Sequence, residues 1–222
     1  MTPMPDDRTA ILDRIRASLS GDPSAATDSA ADYTAIRRSY IRAGSLDPQA
    51  RLDLFLERLR DYDTHVVETS ATSLPATIAA VLREHNQKKV IAAHGLPPEI
   101  LPRDFAVIPE HAAGLDDLNA CDGIVTACAV AIAFTGTIVL THGPGEGARR
   151  LTLLPDRHLC VVRADQVVET VPEAFDRLAP FATRPLTFVS GPSATADIEM
   201  TRIRGVHGPR FLDVVLVGRL RP

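Results

Sequence analysis

The stretch AVAIAFTGTIVLTHGPGEGARRLTLLPDRHLCVVR, residues 129–163, joins two apolar runs through a polar loop rich in glycine. Apolar runs of this kind are typical of strands that are buried on both faces inside a sheet covered by helices. The loop carries Gly143, Gly145 and Glu146 and ends at two arginines. Because glycines let backbone N–H groups approach a ligand closely, the loop is predicted to cradle an anion. The alternative is a hairpin turn between two strands, which Gly-Pro-Gly also suits.

Strand-like and helix-like patterns alternate on both sides of this stretch. Strands are predicted over residues 64–68, 89–93, 105–108, 123–127, 158–163, 186–190 and 211–217. Helices are predicted from Pro48 after the cap Asp47, over residues 73–85 and 115–120, and from Asp165 to Leu178. This β-α-β order predicts a three-layer α/β domain with a mostly parallel sheet.

The amino-terminal part has a different character. Apolar residues at helical spacing predict a short helix over residues 6–19, and the small polar residues 20–32 predict a flexible linker. We therefore expect an N-terminal helix and linker over residues 1–32 and an α/β domain over residues 33–222. The apolar face of the helix either mediates self-association, giving a homo-oligomer, or folds back on its own subunit.

Composition limits the classes of partner. The 222 residues are 45% hydrophobic, which is enough for a sizeable core, and the net charge of -4 makes nucleic acid an unlikely partner. No apolar stretch reaches the length of about 20 residues that a membrane helix requires. The three cysteines, Cys121, Cys128 and Cys160, are odd in number and lie in or beside apolar runs, which favours buried thiols in a reducing cytoplasm. Their spacing fits no metal clip, so we expect neither a metal nor a cofactor in this chain.

The first candidate site combines Thr135, Gly136 and Thr137 with Gly143 and Gly145 of the loop. In open α/β sheets ligands bind beyond the carboxyl ends of the strands, where such residues expose hydroxyls and N–H groups. These residues are predicted to bind a small anionic ligand.

The second candidate site follows the apolar run LTFV and contains Ser190, Gly191, Ser193 and Asp197. A strand that ends in Ser-Gly and leads into a helical turn would present free backbone donors to a phosphate or carboxylate. The alternative is a capped turn without a ligand.

The third candidate site is a cluster of basic residues before the last strand, including Arg202, Arg204 and His207. Arginine suits carboxylate and phosphate recognition because its planar donors can bind two oxygens at once. Alternatively, the cluster is solvated or contacts another subunit. His207 lies between glycine-containing segments, and its ordinary pKa allows acid–base chemistry, so it is a candidate catalytic residue.

Three sequence blocks resemble the signature of the LUD domain family. They are TACAVAIAFTGTIVL at 126–140, LTLLPDRHLCVV at 151–162 and SGPSATADIEMTRIRGVHGPR at 190–210, and the resemblance covers about residues 52–218. It implies the NagB/RpiA/CoA transferase-like fold of ribose-5-phosphate isomerase, glucosamine-6-phosphate deaminase and CoA transferases, to which 5-formyltetrahydrofolate cyclo-ligase is related. It also implies a component of a bacterial system that oxidises L-lactate to pyruvate, with iron–sulfur clusters in partner subunits.

One position departs from the family pattern. The family block usually reads A-E-T-G-T, whereas this chain has Phe134 before Thr135. If that glutamate were catalytic, as a glutamate is in CoA transferases of the implied fold, phenylalanine could not replace it as base or nucleophile. The block then serves binding, or Glu146 supplies the carboxylate and is a second candidate catalytic residue.

Two functions follow from these observations. The first is an accessory or ligand-binding subunit of a lactate-oxidising complex, since no cofactor fingerprint is found. The second is a self-sufficient enzyme that acts on a phosphorylated, carboxylated or CoA-linked substrate, as the glycine loops and the basic cluster would allow.

Overall fold

The computed structural model describes residues 7–19, 29–195, 203–205 and 208–218. The chain divides into two compact units, Met1–Tyr40 and Ile41–Pro222. The first unit contains helices α1 (Asp7–Leu19) and α2 (Ser29–Ala35), and α1 buries none of its residues. The predicted N-terminal helix is therefore confirmed. Most of the predicted linker lies outside the described residues, and a domain boundary at residue 32 stays a prediction.

The helices of the second unit begin where the sequence supplies caps and early prolines. They are α3 (Pro48–Asp61), α4 (Leu74–Glu84), α5 (Leu115–Ala120) and α6 (Val171–Leu178). The carboxylate of Asp47 accepts the N–H groups of Gln49 and Ala50, both at 2.9 Å, and thus caps α3 as predicted. Ser73 precedes α4 without a side-chain cap.

The strands form three sheets of different size. They are β1 (His65–Thr69), β2 (Lys89–Ala92), β3 (Ala106–Pro109), β4 (Gly123–Ala127), β5 (Val130–Ile132), β6 (Thr137–Leu140), β7 (Arg157–Arg163), β8 (Val167–Val168), β9 (Thr187–Val189), β10 (Ala194–Thr195), β11 (Ile203–Arg204) and β12 (Phe211–Val217). The largest sheet has the order β1-β12-β7-β4-β2-β3, and all of its neighbours are parallel. The mostly parallel α/β fold is therefore confirmed.

Helices and a second sheet cover the two faces of the parallel sheet. On one face, the apolar residues of α4 and Leu118 of α5 pack in one cluster with residues of β2, β4, β7 and β12. On the other face, α3 packs together with β5 and β6 against the remaining residues of β7 and β12. Burial on both faces explains why the central strands are continuous apolar runs.

The second sheet has the order β8-β5-β6-β9 and was not predicted as a separate layer. Residues 129–140 fold back on themselves, so that β5 and β6 are antiparallel. The turn lies at Thr135 and Gly136, and Gly136 has a φ of 60°, which favours glycine. The alternative hairpin at Gly-Pro-Gly is therefore wrong, because that loop connects β6 of the second sheet to β7 of the parallel sheet.

Two further predictions need correction. The helix predicted from Asp165 begins instead at Val171, because Val167 and Val168 pair with β5, and Thr170 is the residue that caps α6. The helical turn predicted after Ser190 is replaced by β10, which pairs antiparallel with β11. No helix in the described part of the chain is long and apolar enough to cross a membrane.

Candidate functional site

A cavity of about 340 Å³ lies beside β9, and we call it the serine cavity because residues 190–193 form one of its walls. Three residues of the second predicted site, Ser190, Gly191 and Ser193, line it. The cavity is also lined by His158, at the amino end of β7, whose Nε2 lies 2.7 Å from the hydroxyl of Thr126. Gly191 has a φ of 80° and lies against Tyr62, which leaves no room for a side chain.

A chain of hydroxyls joins the hairpin turn to this cavity. The hydroxyl of Thr135 lies 2.7 Å from that of Thr137, which in turn lies 2.7 Å from the hydroxyl of Ser190. Thr137 is buried, and Ser190 is exposed at the cavity wall. The structure therefore divides the first predicted site: Thr137 contacts Ser190 of the second site, 53 residues away in the chain, whereas Gly143 lines a different cavity.

The glycine loop forms a different cavity of about 680 Å³, which we call the loop cavity. It is lined by His94, Glu110, His111, Thr141, His142, Gly143, Pro144, Gly147, Ala148, Arg150, Arg184 and Pro185. His94 and Glu110 follow the carboxyl ends of β2 and β3, and the carbonyl of Gly145 accepts the N–H of Ala127 at the end of β4. The loop cavity thus lies at the edge of the sheet where the sequence predicts a ligand.

Two buried glutamates hold the loop in place. Glu110 accepts the N–H of His94 at 3.0 Å with one oxygen and the N–H of Ala148 at 2.8 Å with the other. Glu146 accepts the N–H of Thr141 from within the loop. Since both carboxylates already accept backbone donors, they fix the shape of the loop. Catalysis by Glu146 stays a prediction.

Thr187 connects the two cavities. Arg149 donates from Nη1 to the Thr187 hydroxyl oxygen at 2.9 Å, and that hydroxyl lies 2.7 Å from Nε2 of His142. The other ring nitrogen of His142, Nδ1, lies 2.8 Å from the carbonyl of Gly147. Because a carbonyl can only accept, Nδ1 carries a proton, and in the neutral ring Nε2 accepts the proton of the Thr187 hydroxyl. The result is an oriented line of donors and acceptors from an arginine to an imidazole.

The charge around the cavities is basic at the surface. Arg149, Arg150 and Arg184 are exposed, and none of the three forms an ion pair within the described residues. Arg149 lines the serine cavity, whereas Arg150 and Arg184 line the loop cavity. Unpaired guanidinium groups at a cavity rim suit a carboxylate or phosphate.

The third predicted site is described only in part. Arg202 and His207 lie outside the described residues, as does Asp197 of the second site, and for Arg204 the backbone alone is described, paired with Ala194. The binding of a ligand by these side chains stays a prediction.

Phe134 is 66% exposed, lies in the hairpin turn and donates its N–H to the backbone carbonyl of Glu169. It does not line either cavity among the residues that the structure describes.

Sequence reasoning missed several polar residues of these cavities. Glu110, Thr187 and His158 lie in or next to short apolar strands, where a polar residue gives a weak signal. Two of them could have been found from their position at the end of a strand. Glu110 directly follows the carboxyl end of β3, where ligands bind in open α/β sheets, and Thr187 is the first residue of β9.

Among the residues that the structure describes, the cysteines line neither cavity. Cys128 and Cys160 are buried as predicted, and Cys121 is half-buried, all three as free thiols. Hydrogen bonding with Cys160 and burial raise the pKa of Cys128 well above its ordinary value. Burial also raises the pKa of Cys121. Cys121 and Cys128 are therefore held as protonated thiols, which are poor metal ligands and poor nucleophiles. The hydrogen bond with Cys128 instead lowers the pKa of Cys160 to about 6.

The fold and the cavities define the class: a parallel α/β domain with a polar, arginine-rimmed edge. The LUD domain model matches residues 52–217. A Deinococcus radiodurans protein named Lactate utilization protein C is 44% identical over 170 residues, which cover 75% of this chain and 79% of that protein. The uncharacterized protein YkgG of Escherichia coli is 26% identical over 92% of this chain and 95% of its own length.

A solved structure has the same fold. The crystal structure of a DUF162 family protein from Deinococcus radiodurans matches with a TM-score of 0.69 and 37% identity, over 78% of this chain and 100% of that chain. The chain belongs to the LUD domain family.

Proposed function

We propose that this chain is a component of a bacterial L-lactate utilization system, in which it binds a small anionic ligand as an accessory subunit beside iron–sulfur partners. The observation that carries the proposal is the 44% identity with a protein named Lactate utilization protein C, over three quarters of both chains. Further relatives with that name, from Anoxybacillus flavithermus and Bacillus pumilus, are 26% identical over 71% and 91% of this chain.

The arginines at the cavity rims support an anionic ligand. Arg149 reaches Thr187 at 2.9 Å and so holds a guanidinium beside a hydroxyl and the imidazole of His142. A 2-hydroxy acid offers a carboxylate for the guanidinium and a hydroxyl for the imidazole or threonine. L-Lactate and pyruvate carry the carboxylate in common, and only lactate carries the hydroxyl.

Growth of the source bacterium tests the role in the cell. Deletion of the gene is expected to abolish growth on L-lactate as carbon source, while growth on pyruvate continues. A tagged copy of the chain should restore growth and co-purify with subunits that contain iron and sulfide. Normal growth of the deletion strain on L-lactate would contradict the proposal.

Ligand binding is tested on the purified chain. L-Lactate or pyruvate should raise the midpoint of thermal unfolding, because a ligand that binds only the folded state stabilises it. Arg149→Gln should remove most of that increase, since it removes the charge next to Thr187. Arg103→Gln, an exposed arginine that lines neither cavity in the described residues, is the matched control.

An enzyme that works alone is the second candidate. It is favoured by the hydrogen-bonded pair of Thr187 and His142, since an imidazole that accepts a hydroxyl proton can activate that hydroxyl as a nucleophile. On this proposal the chain has the CoA transferase-like or isomerase-like fold, and its substrate is phosphorylated, carboxylated or CoA-linked. Turnover by the purified chain that is lost in His142→Gln and Thr187→Val would favour it. No turnover with sugar phosphates, hydroxy acids and CoA esters would leave the accessory role.

A further inference from the structure

Three side chains with metal-binding atoms meet on the α4 face of the parallel sheet, outside both cavities. His65 is the first residue of β1, His85 directly follows α4, and Asp213 lies in β12 opposite His65. Among the residues that the structure describes, these three side chains form a possible metal-binding group, because their ligand atoms all lie within 4.8 Å of one another. The residues are contributed by separate elements, so the fold itself assembles the cluster.

The three ligand atoms form a nearly equilateral triangle. Nδ1 of His65 lies 3.0 Å and Nε2 of His85 lies 3.1 Å from the same oxygen, Oδ1 of Asp213, and the two nitrogens are 3.4 Å apart. Nitrogen and oxygen ligands at about 2.0–2.2 Å from a tetrahedral zinc ion are about 3.3–3.5 Å apart. The triangle therefore has nearly the dimensions of one face of a zinc coordination tetrahedron.

Hydrogen bonding alone accounts poorly for this arrangement. Oδ1 of Asp213 also accepts Nη1 of Arg157 at 3.1 Å, so three nitrogen donors converge on one oxygen. If both imidazoles donate to that oxygen, their two N–H groups face each other across 3.4 Å. A metal ion takes the place of both protons and accepts the lone pairs of all three atoms at once. We propose that His65, His85 and Asp213 bind a divalent transition-metal ion of the zinc type.

The surroundings complete the site. Arg157 also donates to the second oxygen, Oδ2, of Asp213 at 2.9 Å and so fixes the carboxylate while Oδ1 remains directed at the histidines. Nε2 of His65, the ring nitrogen away from the triangle, lies 3.8 Å from a carboxylate oxygen of Glu84. This distance is too long for a hydrogen bond, so Glu84 adds negative charge beside the site without fixing the ring.

The donor set and the exposure define the ion. Two imidazoles and one carboxylate suit zinc, iron, cobalt or nickel, whereas magnesium prefers oxygen ligands alone. The side chain of Asp213 is 1% exposed, while those of His65 and His85 are 34% and 21% exposed. The buried carboxylate anchors the ion, and the exposed side leaves a position for water or a fourth ligand. The expectation that this chain holds no metal was based on the spacing of its cysteines. That spacing gives no information about a site made of two histidines and an aspartate.

The test is titration of the full-length protein after treatment with a chelator and desalting. Calorimetry with ZnCl2 should show one ion bound per chain with a dissociation constant of about 1 μM or lower, and MgCl2 should give no binding under the same conditions. Co2+ should give the visible absorption bands of a tetrahedral or five-coordinate site. Zn2+ should also raise the midpoint of thermal unfolding.

The variants separate this site from adventitious binding. The double variant His65→Gln/His85→Gln should bind Zn2+ at least about tenfold more weakly, whereas Glu99→Gln, which removes an exposed carboxylate outside the cluster and outside both cavities, should bind as the unaltered chain does. Circular dichroism without metal checks that each variant is folded, and His85→Gln alone replaces the double variant if that one is not. Absence of stoichiometric Zn2+ binding by the unaltered chain, or equal binding by the double variant, overturns the proposal.

Discussion

Buried carboxylates lie at two places on the parallel sheet, and their partners differ. Beyond the carboxyl ends of the strands, Glu110 accepts two backbone N–H groups, those of His94 and Ala148. On the α4 face, Asp213 accepts side chains instead: the guanidinium of Arg157 and two imidazoles. Both carboxylates are almost fully buried, at 6% and 1% exposure.

The difference in partners implies a difference in behaviour. Backbone N–H groups do not exchange their proton for a metal ion, so the hydrogen bonds of Glu110 fix one geometry of the loop. Imidazoles can give up a proton to bind a metal ion, so the cluster around Asp213 can respond to its surroundings. The loop beyond the carboxyl ends of the strands is therefore held in one shape. The proposed site around Asp213 can instead exchange imidazole protons for a metal ion.

The largest effect on stability is expected at Asp213. Asp213→Ala leaves Arg157, whose side chain is 15% exposed, without a countercharge. Removing one partner of a buried pair costs about 3–5 kcal/mol. Urea denaturation in the presence of a chelator measures this loss. Asp165→Ala, which breaks the exposed pair with Arg163, is the control and should cost much less. Equal losses would contradict the comparison.

A smaller loss is expected for the glutamates of the loop. Glu110→Gln should cost about 2–3 kcal/mol, because an amide has one acceptor oxygen, and its NH2 group would face the N–H of His94 or Ala148. Glu146→Gln should cost less, about 1 kcal/mol, because the amide oxygen can still accept the N–H of Thr141. Urea denaturation ranks the two variants, and the reverse order would show that Glu146 holds the loop more strongly.

The parallel sheet could be predicted from the sequence because its physical cause is local. The strands over residues 123–127 and 211–217 and the helix over residues 115–120 have the predicted bounds. Both strands are mostly apolar, since both faces of the sheet are buried, and Thr126 and Asp213 are their buried polar exceptions. The cap of α3 is likewise local, since Asp47 accepts N–H groups two and three residues later in the chain.

The second sheet could not be predicted because its pairing is not local. Val167 joins β5 through its register with Ala131, 36 residues earlier in the chain, and this pairing delays the start of α6. Asp165 and Thr170 are both good caps by residue type, so tertiary pairing decides between them. Pro172, in the first turn of α6, agrees with the later start.

The residues of the candidate sites also differ in how local their sequence signal is. Gly143 and Ser190 were identified because glycine and serine after apolar runs are recognisable in sequence. The contact of His142 with Thr187 spans 45 residues, and that of His65 with Asp213 spans 148. A single histidine in a sequence carries no sign of such a partner, and the folded topology is needed to bring the pair together.

A third carboxylate, that of Glu173, tests the comparison at a half-buried position. It accepts the N–H groups of Gly44, Glu169 and Thr170 at 2.8–3.1 Å. Burial alone would raise the pKa of Glu173, but the hydrogen bonds from Thr170 and Gly44 together outweigh it and lower the pKa below 4.5. A lowered folded-state pKa contributes stability above the unfolded value, and this stability is lost as the pH falls through the folded value.

Glu173→Gln should therefore cost about 1 kcal/mol at pH 7, the usual contribution of a capping side chain. The gap to the unaltered chain should shrink below pH 4.5, because the protonated carboxyl then resembles the amide. Thermal unfolding at pH 7, 5 and 3 measures the gap, with the exposed Glu99→Gln as control. If the difference in stability between Glu173→Gln and the unaltered chain stays constant down to pH 3, the geometry of Glu173 and not its charge makes it a good cap. Carboxylates that accept backbone N–H groups in this protein would then act by their shape alone.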